Sequence, residues 1–334
     1  MATSRYKQGI WSLLLSLYFV SSKRFQGLRM LIYLRWLVFI GLFWIIPSTV
    51  ISAQTDDAKP CTQVRLTKSV TVHGYLFRTY EATDLDDPGC VRIYRDGKVV
   101  YRLASDKAQR YDLGQPGDTS YKIPRVPNGI DLTGDGRSNM IVTSWSGGAH
   151  CCFTHYIFEL EPTLRLIATI EDGDTDLAHF EKLDGDHGYY YVTSDIWSYW
   201  PASFASSVSH RVLLKWNGEQ FRMDLNKMRS PPPTPQQWKA ALKDVDDALK
   251  DGGETRDSLG VTLWNTTLDL IYTGHSDLAW KFVREANPNA LKGDNPSLEE
   301  FCSVLKDDRY WPDLKPTLKN VQEECVMGIS KIQK

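Results

Sequence analysis

The sequence lacks the compositional extremes that mark specialised chains. Its 334 residues carry 39 basic and 41 acidic side chains, a net charge of -2, so the charge balance gives no support for nucleic acid as a partner. Hydrophobic residues make up 42% and charged residues 24%, which excludes collagen-like, low-complexity and wholly disordered chains. The length predicts about two domains.

Familiar catalytic signatures are also absent. The sequence contains no Gly-x-Ser-x-Gly nucleophile elbow, no His-Glu-x-x-His zinc motif and no glycine-rich phosphate loop. An active site built from its seven histidines or its many acids would leave no such signature. Enzymatic activity therefore stays open, and the sequence favours a binding role over catalysis.

Acidic residues are missing from residues 1–53, which contain six basic residues and an apolar run over Trp36–Ile46. A basic segment, a short apolar stretch and the small residue Ala53 describe a secretory signal peptide. A chain that starts at Met30 would carry a signal of ordinary length. The alternative is an uncleaved anchor, because the apolar run extended through Ala53 approaches the length of a membrane span. Under either interpretation the rest of the chain is exported, to the periplasm or the medium, and only this segment contacts a membrane.

Cysteines are few, and all six lie beyond this segment, at Cys61, Cys90, Cys151, Cys152, Cys302 and Cys325. An even number in an oxidising compartment favours disulfides over free thiols. Pairing by proximity joins Cys61 to Cys90 and Cys302 to Cys325, and leaves Cys151 beside Cys152. The alternative pairs Cys151 and Cys152 separately with Cys61 and Cys90.

The region over residues 60–229 is rich in β-branched and aromatic residues, and it predicts an antiparallel all-β domain. Two dipeptides, Asp96-Gly97 and Asn217-Gly218, mark hairpin turns, because such pairs readily adopt the positive φ angles of a two-residue loop.

A proline-rich linker at residues 230–235 follows, since Ser-Pro-Pro-Pro-Thr-Pro sustains neither a helix nor an inner strand. Beyond it, residues 236–334 show helical spacing and predict a small helical domain. The expected helices cover residues 238–249, 259–272, 276–286, a segment after Ser297, and 318–325. The fold class predicted for the whole chain is α+β.

The segment with the most specific chemistry is residues 131–139, Asp-Leu-Thr-Gly-Asp-Gly-Arg-Ser-Asn. It places oxygen-bearing side chains at alternate positions of a glycine-containing loop, as a calcium loop requires. The expected calcium ligands are Asp131, Thr133, Asp135, Asn139 and the carbonyl of Arg137. The loop lacks the terminal glutamate and flanking helices of an EF-hand, and a strand is expected after it. The alternative is a polar turn that binds no ion.

A weaker copy of this loop and strand follows at Leu183–Gly188. Lys182 replaces the first aspartate of the pattern, so calcium binding by Asp184 and Asp186 is the weaker expectation. Acidic residues at the alternate positions 172, 174 and 176 lie nearby and are further candidate ligands; the alternative is a solvated acidic loop.

With the residues Asp131-Leu-Thr-Gly-Asp-Gly136 and the weaker copy over 180–192, the sequence resembles FG-GAP or VCBS-type repeats, the calcium-loop units of integrin α-subunit propellers. The resemblance covers roughly residues 120–225. It implies antiparallel, blade-like strands with calcium in the loop between two of them. A propeller needs at least four blades, and only two copies are visible. A partial propeller or a small sandwich-like domain is therefore expected.

Two more segments carry chemistry-bearing side chains. His150, Cys151, Cys152 and His155 include ligands for zinc or copper, although neighbouring residues of a strand point to opposite faces and export favours oxidation. The aromatic segment Asp195–Phe204 either contacts a sugar or protein partner or packs in the core.

These features together predict an exported, calcium-stabilised binding module for an unknown protein or glycan. One alternative is an envelope-associated hydrolase whose cleft combines Asp172, Asp174 and Asp176 with the segment Trp197–Trp200. A second alternative is a protein that handles soft metals.

Overall fold

The computed structural model describes residues 61, 64–83, 88–104, 109–115, 117–148, 152–175, 177–183, 185–201, 203–250, 256–286 and 298–318. All of them belong to one compact unit that spans Asp57–Lys334. The predicted export segment, residues 1–53, lies outside the described residues. Within the described part, no helix combines the length and the apolar character needed to span a membrane.

The described residues contain three antiparallel sheets of four strands, and consecutive strands are neighbours in each sheet. The first sheet consists of β1 (Val64–Val72), β2 (Tyr75–Ala82), β3 (Cys90–Arg95) and β4 (Lys98–Ala104). The second consists of β5 (Arg110–Leu113), β6 (Asn139–Trp145), β7 (Phe153–Glu159) and β8 (Arg165–Gly173). The third consists of β9 (His179–Glu181), β10 (Tyr190–Trp197), β11 (Val208–Trp216) and β12 (Phe221–Met223).

Both predicted hairpins are confirmed, the first with its two-residue turn, the second with a four-residue loop over 217–220 in place of a two-residue turn at Asn217-Gly218. Asp96 and Gly97 have φ angles of 51° and 75° and join β3 to β4, where Arg95 pairs with Lys98. The turn that begins at Asn217 joins β11 to β12, and its amide donates to the carbonyl of Gln220 (3.1 Å).

The helices follow the third sheet, which makes the architecture α+β as predicted. They are α1 (Leu225–Met228), α2 (Pro235–Lys250), α3 (Arg256–Tyr272), α4 (Ser276–Ala286), α5 (Leu298–Asp307) and α6 (Trp311–Leu314). The helix predicted over 276–286 has these same bounds. The helix predicted over 318–325 falls almost wholly outside the described residues. Among the described elements, the sheets close into neither a barrel nor a propeller.

One hydrophobic core runs from the third sheet into the helices. In it the ring of Trp264 on α3 stacks on that of Phe301 on α5, with centroids 4.5 Å apart. Trp197 and Trp200, from the segment predicted either to meet a partner or to pack inside, are 5% and 8% exposed and contact Phe301. They belong to the core, whereas Tyr199 between them is 67% exposed.

A second core joins the first and second sheets. Phe77 of β2 lies edge to face with Phe158 of β7, with ring centroids 6.0 Å apart. Neither ring is exposed to solvent. The second sheet is therefore held on this side by the first sheet.

The disulfide between Cys61 and Cys90 confirms the pairing by proximity, with Cα atoms 6.0 Å apart across a sequence separation of 29 residues. It excludes the alternative in which these two cysteines pair with Cys151 and Cys152. Cys152 and Cys302 are also disulfide-bonded, so none of the described cysteines is a free thiol.

Candidate functional site

The residues predicted to bind calcium lie in the connection between β5 and β6, directly before β6. Thr133 Oγ1 lies 3.0 Å from Asp135 Oδ1, 3.3 Å from Asp131 Oδ1 and 3.5 Å from Asn139 Oδ1. Oxygen atoms from all four predicted side chains therefore converge on one point of the loop. Hard cations bind to such groups of oxygens.

Backbone amides hold the two carboxylates of the loop in place. Asp131 accepts a hydrogen bond from the amide of Gly134 on Oδ1 (2.6 Å) and from that of Gly136 on Oδ2 (2.8 Å). Asp135 Oδ1 accepts from the amide of Arg137 (3.0 Å). The loop is thus preorganised by its own backbone, in the way that turn-forming aspartates hydrogen-bond nearby amides.

The guanidinium of Arg137 is shared between Glu159 and the loop carboxylate of Asp135. Its Nη1 atom donates to Oε2 of the buried Glu159 at 2.8 Å and lies 3.9 Å from Asp135 Oδ2. Arg165 lies 2.6 Å from the other carboxylate oxygen of Glu159. The hydrogen bond between Arg137 and Glu159 raises the pKa of Arg137. The loop thus has two carboxylates, Asp131 and Asp135, against one guanidinium that is shared with Glu159, and it retains negative charge that a bound cation would neutralise.

The weaker copy of the loop packs directly on the first one. The amide of Tyr189 donates to the carbonyl of Leu132 at 2.8 Å. A Cβ atom on Gly188 would lie 2.7 Å from the backbone nitrogen of Gly134. Both loops connect the first strand to the second strand of their sheets, so the sequence repeat corresponds to a repeated position in the fold.

The second loop has a different electrostatic environment. Both oxygens of Asp186 are occupied by ammonium groups, Oδ1 by Lys215 (3.0 Å) and Oδ2 by Lys227 (2.7 Å). Hydrogen bonds from these two lysines lower the pKa of Asp186 to about 2. Because two ammonium groups repel a cation, the second loop is a poor calcium site and only the first loop remains a candidate. Asp184 and Asp176 lie outside the described residues.

Other metal sites receive little support. In the part of the chain that the structure describes, no three His, Cys, Asp or Glu side chains group as metal ligands. The loop over 131–139 is of another type, with two carboxylates, a hydroxyl and an amide. Cys152 is disulfide-bonded and cannot serve as a thiolate ligand for a soft metal.

A cavity of about 450 Å³ lies between β8, β10 and the end of α5. Its charged lining residues are Asp172, Asp174, Asp195, Asp307, Asp308 and Arg309. Arg309 ties the two sides together by donating to the carbonyl of Glu171 (2.5 Å). Two acids proposed from the sequence, Asp172 and Asp174, thus line a cleft, whereas Trp197 and Trp200 do not.

The most perturbed acid of this cleft is Asp308. Burial, followed by the nearby charge of Asp195, raises the pKa of Asp308 to about 7. Asp195 Oδ2 accepts hydrogen bonds from Tyr272 (2.5 Å) and Trp197 (3.0 Å). A carboxyl group that keeps its proton near neutral pH can act as a general acid. Asp195 and Asp308 could not be paired from the sequence, because they come together only when the end of α5 packs on β10.

Comparison with known proteins adds no identity to these sites. No family model matches the chain, and none of the curated proteins compared with it matches. The resemblance to FG-GAP or VCBS-type repeats therefore rests on residues 131–139 and their weaker copy alone.

Proposed function

We propose that this chain is an exported binding module whose β domain is stabilised by one calcium ion at residues 131–139. The observation that carries the proposal is the convergence of oxygens from Asp131, Asp135 and Asn139 around Thr133 Oγ1. The ion would neutralise two carboxylates in a loop that packs on the β9–β10 connection. Its role is to stabilise the loop, with no part in chemistry.

Two further observations support the export and the repeat character of the module. The Cys61–Cys90 disulfide is the bond expected in an oxidising compartment, in agreement with the basic and apolar segment over residues 1–53. Each four-stranded meander has the strand order of a propeller blade. Three such sheets are fewer than the four blades of the smallest propellers, which favours a partial propeller.

Calcium is expected to raise the melting temperature of the chelator-treated protein by about 5 °C at 100-fold excess over its dissociation constant. The reason is that an ion bound only by the folded loop stabilises the protein by about 2.7 kcal/mol at that excess. The Asp135→Asn variant should lose this response, because one of the two loop carboxylates is removed. Differential scanning calorimetry with and without calcium measures the shift.

A matched control is Asp118→Asn, which removes a carboxylate from the same β5–β6 connection. Asp118 Oδ1 accepts from the amide of Ser120 (2.8 Å), a local bond of the kind made by Asp135. This variant should keep the calcium response. A parent protein whose melting curve does not change in millimolar calcium would contradict the proposal.

The second candidate function is acid–base catalysis in the acidic cleft, as in a hydrolase acting on envelope polymers. The observation in its favour is that Asp308, with a pKa of about 7, lines the same cavity as its neighbour Asp195. The test is the release of reducing ends from envelope polysaccharide. Loss of this activity in Asp308→Asn, with activity retained in Asp307→Asn, would support the catalytic function. Equal activity in both variants would remove it.

A further inference from the structure

One face of the second sheet carries a cavity of about 380 Å³ that is separate from the calcium loop. Arg110, Trp145 and Phe153 are direct cross-strand partners on β5, β6 and β7. Residues two positions apart on a strand share a face of the sheet. Asp112, Thr143 and His155, which also pair across the three strands, therefore form a second row on this face, and all six residues line the cavity.

The first row forms an aromatic wall. The rings of Trp145 and Phe153 are nearly parallel, with 15° between their planes and 6.3 Å between their centroids. The guanidinium of Arg110 lies over the Trp145 ring at 5.6 Å. The wall therefore presents apolar ring surface next to a polar edge.

Two members of the second row, Thr143 and His155, provide an uncharged polar floor. His155 Nδ1 is hydrogen-bonded to Thr143 Oγ1 at 2.9 Å. Among the described residues no hydrogen-bond partner of His155 Nε2 is found, so this nitrogen is available to a ligand. Burial lowers the pKa of His155 to about 4, which keeps the ring neutral at physiological pH. The floor thus offers a hydroxyl and a neutral ring nitrogen.

The three aspartates around the cavity accept hydrogen bonds or pair with a lysine, and the guanidinium of Arg110 lies against the Trp145 ring. Asp112 pairs with Lys68 (2.5 Å), and Asp118 accepts from the amide of Ser120 (2.8 Å). The buried Asp172, which lines both this cavity and the acidic cleft, accepts from Thr193 Oγ1 at 2.6 Å. The cavity therefore does not require a ligand of either charge, and transfer of a charged ligand into it would cost desolvation energy.

Gln115, which lines the cavity, is held in place by three hydrogen bonds. Gln115 donates to the carbonyls of Phe180 (2.9 Å) and Pro124 (3.1 Å) and accepts from the amide of Phe180 (2.6 Å). These bonds tie the start of the β5–β6 connection to β9. The cavity is therefore formed before a ligand arrives, as small-molecule sites usually are.

We propose that this cavity binds a neutral saccharide of one or two rings. A sugar ring combines an apolar face of C–H groups, which suits the Trp145–Phe153 wall, with hydroxyls that can pair with Thr143 and His155. The volume lies at the lower end of the range for small-molecule sites. The inference rests on the proposed binding function, and it places the ligand at the opposite end of β6 from the calcium loop.

Isothermal titration calorimetry on the purified full chain tests the proposal with glucose, N-acetylglucosamine, maltose, cellobiose and di-N-acetylchitobiose as probes. We expect at least one of them to bind, and Trp145→Ala and His155→Ala each to weaken that binding by about tenfold or more. Tyr121→Ala removes an aromatic ring that is 62% exposed and does not line the cavity, so it should leave binding unchanged.

Each variant is also melted with and without calcium, so that unfolding and loss of the sugar site are read separately. Because the cavity contains no residue of the loop over 131–139, sugar binding should persist when calcium is removed. A loss of calcium stabilisation with sugar binding retained would overturn only the calcium proposal. The saccharide proposal is overturned if no probe binds, if only charged sugars bind, or if binding survives both Trp145→Ala and His155→Ala.

Discussion

Replacing Gly188 by alanine is expected to lower the free energy of unfolding by about 3 kcal/mol. Gly188 has a φ angle of +73°, which costs an alanine about 1 kcal/mol or more. The new Cβ would also lie 2.7 Å from the nitrogen of Gly134 and 2.8 Å from the carbonyl oxygen of Leu132. These contacts are backbone atoms, which cannot turn aside as a flexible side chain can, so the two loops must separate.

Gly185→Ala is the matched control, because it lies in the same loop at a φ of +78° with no atom within 4 Å of its added Cβ. It should cost only the conformational energy, about 1 kcal/mol. Urea unfolding of both variants measures the difference. Gly188→Ala should also weaken the calcium response, since it displaces the loop over 131–139. Equal unfolding midpoints for the two variants would show that the close contact between the loops is absent.

The contribution of Asp308 to stability is expected to fall as the pH rises from about 4 to about 7, with a sign opposite to that of the buried His155, whose lowered pKa adds stability as the pH rises from about 4 to about 6.5. The pKa of Asp308 is raised from 3.8 to about 7 in the folded chain by burial and by the charge of Asp195. Between these values the folded state retains a proton that the unfolded state has lost. The contribution of Asp308 to the unfolding free energy therefore falls by up to about 1.4 kcal/mol per pH unit in this window, and by a few kcal/mol in total. Above about pH 7 this contribution becomes constant.

Asp308→Asn should remove this contribution, so its unfolding free energy should rise relative to that of the parent as the pH rises, because an amide stays neutral and can still donate to Asp195. The variant is expected to be more stable than the parent protein at pH 8, an unusual sign for a substitution in a buried position. Asp307→Asn, which lines the same cleft, should keep the slope of the parent. Urea denaturation at pH 4.5, 6 and 8 gives the comparison. A difference in unfolding free energy between Asp308→Asn and the parent that stays the same from pH 4.5 to pH 8 would contradict the prediction.

Features set by neighbouring residues were predictable from the sequence. The turn at Asp96-Gly97 follows from the two positive φ angles that this pair accepts, and the helix Ser276–Ala286 follows from the spacing of its apolar residues. The Cys61–Cys90 pairing agrees with the proximity of the two cysteines in the sequence. The clustered oxygens of the loop over 131–139 belong to the same group, because alternate side chains of a tight loop face one point.

The tertiary structure decided the features that depend on distant residues. Gly134 meets Gly188, and Asp195 meets Asp308, only because the second and third sheets and α5 pack against one another. The wall of Trp145 and Phe153 depends on the register of β6 and β7. Periodicity along one segment carries no information on which face of another element it will contact. The sequence by itself thus determined the elements, the turns and the clustering of oxygens in the loop over 131–139, whereas long-range packing decided the acidic cleft and the aromatic cavity.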